Sequence, residues 1–193
     1  MIIPIVFFAT FYLGGVRESV ALMVMTWMYN DLGGAGENIV TRNLLNALGY
    51  MCYSSGSMLV AAGHGQYELN ETATRWLAII GAIIFTTLQM QDMPDVEGDA
   101  ARNRKTVPLV YGDIVARISI AVPVMAWSFI SPTFWRLEKF GYMAPVAIGV
   151  IFTLRLLILR SAPADTATWK LWCAWLATIY LLPLCKEHSV LSR

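Results

Sequence analysis

Charge is scarce in this sequence, and so are cysteine and histidine. Of the 193 residues only 14% are Asp, Glu, Lys or Arg, 57% are hydrophobic, and the mean hydropathy is +0.57. That balance is too apolar for an ordinary soluble domain and points to a polytopic membrane protein. The formal net charge of +1 leaves no basic face of the kind that nucleic acid requires, so no nucleic-acid partner is expected. Cys52, Cys173 and Cys185 are odd in number, widely spaced and set among apolar neighbours. They read as buried thiols rather than as a disulfide framework or a metal site. A metal or base role is not expected for His64 or His188. Met1-Ile2-Ile3-Pro4 offers no basic n-region, and no small-residue cleavage site stands out before Arg17, so the first apolar stretch is not expected to be a signal-peptide core. With no internal repeat, low-complexity run or long linker, a single membrane-embedded domain over 1–193 is the simplest organisation.

What the chain has in abundance is apolar runs. Crossing the hydrocarbon takes roughly 20 residues of helix, and Gly, Pro and polar punctuation cuts the sequence into about seven such stretches. They fall near 2–13, 16–30, 44–65, 73–91, 107–131, 141–160 and 167–185. The predicted fold class is therefore an all-α transmembrane helical bundle of about seven helices. The first stretch is short and reads as the stub of a membrane helix. Alternation puts 31–43, 92–106 and 161–166 on one side of the bilayer, with 66–72, 132–140 and the C-terminus on the other. A slight excess of Arg and Lys on the first side favours the cytosol there. The sequon Asn70-Glu71-Thr72 suits a lumenal loop opposite, which fits a multi-pass protein of the endoplasmic reticulum or another endomembrane. Trp27, Trp76, Trp135, Trp169 and Trp172, near helix ends, read as interface anchors.

The scarce charge is concentrated in one place. Residues 91–113, QDMPDVEGDAARNRKTVPLVYGD, set four carboxylates and then three cations at the end of an apolar helix. Asp92, Asp95 and Asp99 stand at i, i+3 and i+7, so a helix continuing through them would bring all three to one face, where they could hold a hard cation. Glu97 points elsewhere, and Pro94 threatens to end or kink the helix. Carboxylate-held Mg²⁺ beside Arg102, Arg104 and Lys105 suits a diphosphate that is bound and then expelled as a leaving group.

QDMPDVEGD followed by RKTVPLVYGD resembles the second aspartate-rich motif of the UbiA superfamily of intramembrane prenyltransferases. In that family a DxxDxxxD run ends a transmembrane helix. Asp92, Asp95 and Asp99 match its three aspartates, and Arg104-Lys105-Thr106-Val107-Pro108 matches the segment closing the motif loop. Residues 27–50, WMYNDLGGAGENIVTRNLLNALGY, are similar to fungal secondary-metabolite members. The resemblance implies a helical bundle around a cavity for an isoprenoid diphosphate, with Mg²⁺ bridging phosphates and aspartates. It implies prenyl transfer to an aromatic or other acceptor; a terpene cyclase and an inactive membrane remnant or subunit are the alternatives. The family's first motif, an NDxxDxxxD-like run, is missing. Asn30-Asp31 is followed by Gly33-Gly34-Ala35-Gly36 where further carboxylates would stand, and a chain lacking the family's first two helices is expected.

Asn43, Asn46, Tyr50, Tyr53 and Ser57 recur at steps of three and four along one helix. They either glue helices together by hydrogen bonds, or line the cavity, with Arg42 and Asn43 on the diphosphate and Tyr50 and Tyr53 facing a carbocation. An analogy with the family tips the choice to the second, and Asn46 belongs to the same substrate-facing stripe. Arg155, inside LRLLILR, either reaches the diphosphate or snorkels.

Overall fold

The computed structural model describes residues 2–63 and 68–186; His64 and His188 lie outside them. Among the described residues every regular element is a helix, as lipid demands when no water can satisfy a backbone group. Three stretches, Glu71–Asp92, Asp113–Phe134 and Lys139–Ile158, are long and apolar enough to cross a membrane. The described residues fall into two compact units, one up to Phe85 and one from Thr86 onward.

In the first unit, α1 (Ile2–Leu13) and α2 (Val16–Asn30) are separated at Gly14 and Gly15, and match the predicted limits. After the one-turn α3 (Gly34–Glu37) comes α4 (Ile39–Ala62), which packs on α2. The α4 helix starts five residues earlier than expected, because Asn38 caps it by accepting the Thr41 N–H at 2.8 Å. A Cβ on Gly15 would lie 3.3 Å from the Gly56 Cα, so the α2 and α4 backbones approach over small residues. Asn70 caps α5 (Glu71–Thr87) through the Ala73 N–H.

The second unit begins with the last residues of α5 and a 3₁₀ turn, Leu88–Asp92. Two short helices follow, α6 (Val96–Ala101) and α7 (Val107–Tyr111). Three long ones complete it: α8 (Asp113–Phe134), α9 (Lys139–Ile158) and α10 (Ala162–Leu181). The single stretch expected over 107–131 is thus divided at Gly112, whose φ of 85° breaks the helix there. The α10 helix starts well before the expected 167, because Ser161 caps it and Pro163 occupies its first turn. Ile120, Val124, Phe152, Leu156, Trp175 and Ile179 are fully buried along α8, α9 and α10.

Tryptophan and cysteine placement departs from expectation. Trp27 and Trp169 are exposed, whereas Trp76, Trp135 and Trp172 are buried inside the protein. Cys52 is half-buried and Cys173 and Cys185 are exposed; all three are free. In a lipid-facing protein an exposed thiol still has an apolar neighbour, so position on the helix and hydropathy do not separate the two cases.

Trp175 donates its indole N–H to Ser128 Oγ at 2.9 Å, and a Cβ added at Gly149 would meet that same oxygen at 2.5 Å. Gly149→Ala should therefore overpack the α8–α9 contact and destabilise the protein by about 1–3 kcal/mol. Thermal unfolding in detergent reads this directly, and an unchanged midpoint would mean that Ser128 has room to rotate away.

Candidate functional site

The aspartate-rich segment is built from three devices. The first ends α5. Trp127 and Trp172 donate their indole N–H groups to Thr86 Oγ1 at 3.0 Å and Thr87 Oγ1 at 3.2 Å, where the α-helix gives way to the 3₁₀ turn. Gln89 reaches α8 in the same region, 3.3 Å from the Ser119 hydroxyl and 3.5 Å from the Ser119 carbonyl. That carbonyl is the one whose helical donor Pro123, four residues on, cannot supply.

The second device is the turn at Met93–Pro94. It ends the helix, so the one continuous face expected for the three aspartates does not form. Asp92 closes the 3₁₀ turn and is 2% exposed. Asp95 stands just before α6, its carboxylate folded over Gly98, where any Cβ would collide with it. Asp99 lies within α6 and is 1% exposed.

The third device ends α6 by a Schellman motif. Asn103 takes the left-handed conformation at φ 53°, its N–H bonds Ala100 O at 3.1 Å, and the Arg104 N–H returns to Asp99 O at 3.0 Å. Folding back in this way carries the arginine over the aspartate. Arg104 Nη1 lies 3.0 Å from Asp99 Oδ1, and Arg102 Nη1 lies 3.3 Å from Asp95 Oδ2. Two of the three aspartates are therefore each held by an arginine, while Lys105 and Glu97 face outward.

Among the described residues no three His, Cys, Asp or Glu side chains gather closely enough to cage a metal. The donor chemistry of the segment suits Mg²⁺ nonetheless. That ion prefers one or two carboxylates plus substrate phosphates and water over an all-protein cage, and each ion pair here occupies one carboxylate oxygen.

The remaining predicted residues are distributed as follows. In the first unit Arg42 is 4% exposed with Nε 3.4 Å from the Tyr29 hydroxyl, and Asn43 is 7% exposed, donating to Phe85 O at 3.1 Å. Asn43 thus ties α4 to α5. Asn46 and Tyr50 line a groove of about 390 Å³ with Tyr29, Asn30 and Tyr53, and Asn46 also donates to Arg42 O at 2.9 Å. In the second unit Arg155 sits half-buried in the last turn of α9. Asp31 and Glu37, flanking the glycines, are exposed.

One cluster escaped the sequence reading. Arg117 on α8 is 3% exposed, and its fork meets Asp165 Oδ1 and Oδ2 at 2.8 Å each. It also donates to Asp113 Oδ1 and to Leu156 O, each at 2.7 Å. The i,i+4 spacing of Asp113 and Arg117 was a legible signal; Asp165, 48 residues away, was not.

The family model for the UbiA prenyltransferase family matches residues 4–181. The chain belongs to that family. Its UbiA-family relatives include fumagillin beta-trans-bergamotene synthase of Aspergillus fumigatus, 32% identical over 142 residues, covering 74% of this chain and 48% of the relative. Somaliensene A/B synthase of Streptomyces somaliensis is 24% identical over 170 residues, covering 83% and 54%. A diterpene cyclase of Hericium erinaceus is 31% identical over 107 residues, covering 54% and 33%. The chain thus spans a third to about half of the length of these curated relatives. No solved structure matches it.

The two arginine pairs differ in depth, and their loss should differ accordingly. Asp95 and Arg102 are both more than half exposed, so Asp95→Asn should cost well under about 1 kcal/mol. Asp99 is buried, and Asp99→Asn should cost about 1–3 kcal/mol. Equal shifts of the unfolding midpoint in the two variants would contradict the burial difference.

Proposed function

We propose that this UbiA-family chain ionises an isoprenoid diphosphate in the membrane, and that the allylic cation closes on its own double bonds as in a terpene cyclase. The observation that carries the reading is the pairing of Asp95 and Asp99 with Arg102 and Arg104 around the short α6 helix that follows an apolar span. Carboxylates and guanidinium groups kept in mutual register are what a diphosphate with its counter-ion needs. Ring closure is favoured over transfer because the relatives cited above are named synthases or a cyclase.

Asp95 and Asp99, with Asp92 behind them, would hold Mg²⁺. When bound there, the ion offsets the charge that builds on the departing diphosphate. Arg102 and Arg104 then exchange carboxylate for phosphate oxygens, which their planar forks suit equally well. Lys105, already exposed, adds a third positive charge to the same group. Arg42 and Arg155 are further candidates for the phosphates. Low water content around apolar helices protects the cation from quenching. The Tyr50 and Tyr53 rings, with Asn43 and Asn46 on the same helix, are candidates for the isoprenoid side, where an aromatic face stabilises positive charge. A cytosolic opening on an endoplasmic reticulum membrane is the location that this reading adopts.

A second reading, transfer to an aromatic or other acceptor, draws on the mainly apolar groove to which Asn46 and Tyr50 contribute polar groups. Purified protein is incubated with Mg²⁺ and prenyl diphosphates of several lengths, with and without acceptors, and the extracted products are identified. Cyclic hydrocarbons or alcohols without acceptor support the first reading, conjugates the second, and no pyrophosphate release refutes both. Asp95→Ala should reduce Mg²⁺-dependent release about a hundredfold or more, whereas Glu97→Ala should leave it close to the parent. Equal turnover in the two variants would reduce the carboxylates to an interfacial feature.

A further inference from the structure

Among the described residues of the first unit, Glu18 is the carboxylate that the fold takes out of water, with a side chain 9% exposed. Burying a carboxylate is costly unless its oxygens are partnered. Oε1 lies 3.0 Å from Arg17 Nε and 2.9 Å from Arg17 Nη2, and that arginine is 74% exposed. The pair brings a counter-charge in from the surface. Oε2 has no hydrogen-bond donor among the described residues.

Glu18 stands just after a break between two helices. Gly14 and Gly15, at φ 96° and 79°, separate α1 from α2, and no side chain caps α2. The first-turn amides of α2 therefore lack the carbonyl partners of a continuous helix. On α4, Gly56 makes room for the carboxylate: a Cβ there would lie 3.3 Å from the Glu18 Cβ. A cavity of about 480 Å³ opens at this place, walled in part by Thr10, Gly15, Glu18, Cys52 and Ser57. Thr10 and Ser57 direct their hydroxyl hydrogens to Val6 O and Tyr53 O, at 2.9 Å each, so both offer the cavity an acceptor. Leu22 and Tyr53 wall this cavity and also the groove that holds Asn46 and Tyr50. The two adjoin as one furrow between α2 and α4, from Glu18 to Asn30, about 18 Å long by the rise of an α-helix.

The polar groups at the Glu18 end select what can bind there. An anion is repelled by the carboxylate. A cation is disfavoured, because Arg17 already balances Glu18 and the start of α2 carries partial positive charge. A hydroxyl answers both sides, donating to Oε2 and accepting from a first-turn amide. A furrow between helices that approach closely at Gly15 and Gly56 suits a flexible hydrocarbon chain better than a rigid fused-ring body. We propose that the α2–α4 furrow binds a long-chain alcohol, its hydroxyl on Glu18 and its chain running past Leu22 and Tyr53 toward Asn46. Linear isoprenoid alcohols belong to that class. The site lies wholly within the first unit and does not depend on the diphosphate reading.

Cys52, on the same wall, reports occupancy. In the full chain carrying Cys173→Ser and Cys185→Ser, alkylation of Cys52 by N-ethylmaleimide is timed in detergent. Dodecanol, farnesol, dodecane, dodecylamine, laurate and cholesterol are compared at equal concentration in the micelle. Dodecanol and farnesol should slow the reaction, and dodecane should need about tenfold more for the same protection, the scale of a hydrogen bond to a charged group. Thermal midpoints of the same samples should follow the same order. Glu18→Leu, similar in size but no acceptor, should abolish the difference between dodecanol and dodecane, and Glu18→Gln should retain part of it. The comparison of head groups uses the unaltered Glu18, so it decides the matter even if neither variant folds. Equal protection and equal midpoints with dodecane and dodecanol overturn the proposal and make the furrow a lipid-filled gap. Stronger protection by dodecylamine overturns it in favour of a cation site, and stronger protection by laurate or cholesterol overturns the linear alcohol as occupant. An absence of both protection and stabilisation with all of them overturns it outright.

Discussion

A guanidinium sealed among three helix ends is the constraint around which the second unit is arranged. Removing a cation from water costs several kcal/mol even after the protein relaxes, so Arg117 can stay charged only where partners are in place. Asp165 answers with both oxygens and Leu156 with a carbonyl that the end of α9 leaves without a helical donor. Asp113 supplies the second carboxylate. Two carboxylates against one arginine would be an excess of negative charge, but both stand in first turns, where a helix end contributes about half a positive charge. Charge, helix direction and hydrogen-bond count therefore close together. Such a group does more to specify which helix ends meet than to stabilise them.

The same logic, at shallower depth, governs the aspartate-rich segment. There the carboxylates are balanced by arginines only seven and five residues away in sequence, on a backbone that turns back on itself at Asn103. Local partners flanking a short helix separate at less cost than Arg117 and Asp165 would, least of all for the exposed Asp95–Arg102 pair and more for the buried Asp99. The contrast divides the charged residues of the second unit into a fixed set and an exchangeable set. Under the proposed function the exchangeable set is the one that a charged substrate would meet.

Much of this was readable in the sequence, in proportion to how local the cause was. Apolar runs placed α1 and α2 to the residue, because Gly14-Gly15 and the polar cluster after Asn30 bound them. The starts of α4 and α10 were missed by five residues each, since Asn38 and Ser161 cap helices whose first turns mix apolar residues with Thr41 and Arg42, or with Pro163 and Asp165, and so fall outside the continuous apolar runs. The aspartate spacing identified the segment, but the single helical face assumed for it failed at Pro94. Asn43 was placed on a polar stripe read either as helix glue or as cavity lining, and it donates to a backbone oxygen near the end of α5, a partner that helical periodicity does not reveal. Arg117 was overlooked for the same reason, its main partner being remote in sequence.

The proline inside α8 bears on how the chain matures in its membrane. Pro123 denies the Ser119 carbonyl its helical donor, and Gln89, on the turn that precedes the aspartate loop, comes to within 3.5 Å of it. A newly inserted α8 surrounded by lipid would carry that oxygen unsatisfied, at a cost of several kcal/mol. Docking of the 3₁₀ turn against α8 relieves the cost, so insertion alone does not complete the helix. The free energy of α8 in its membrane is therefore coupled to docking of the turn that leads into the aspartate loop.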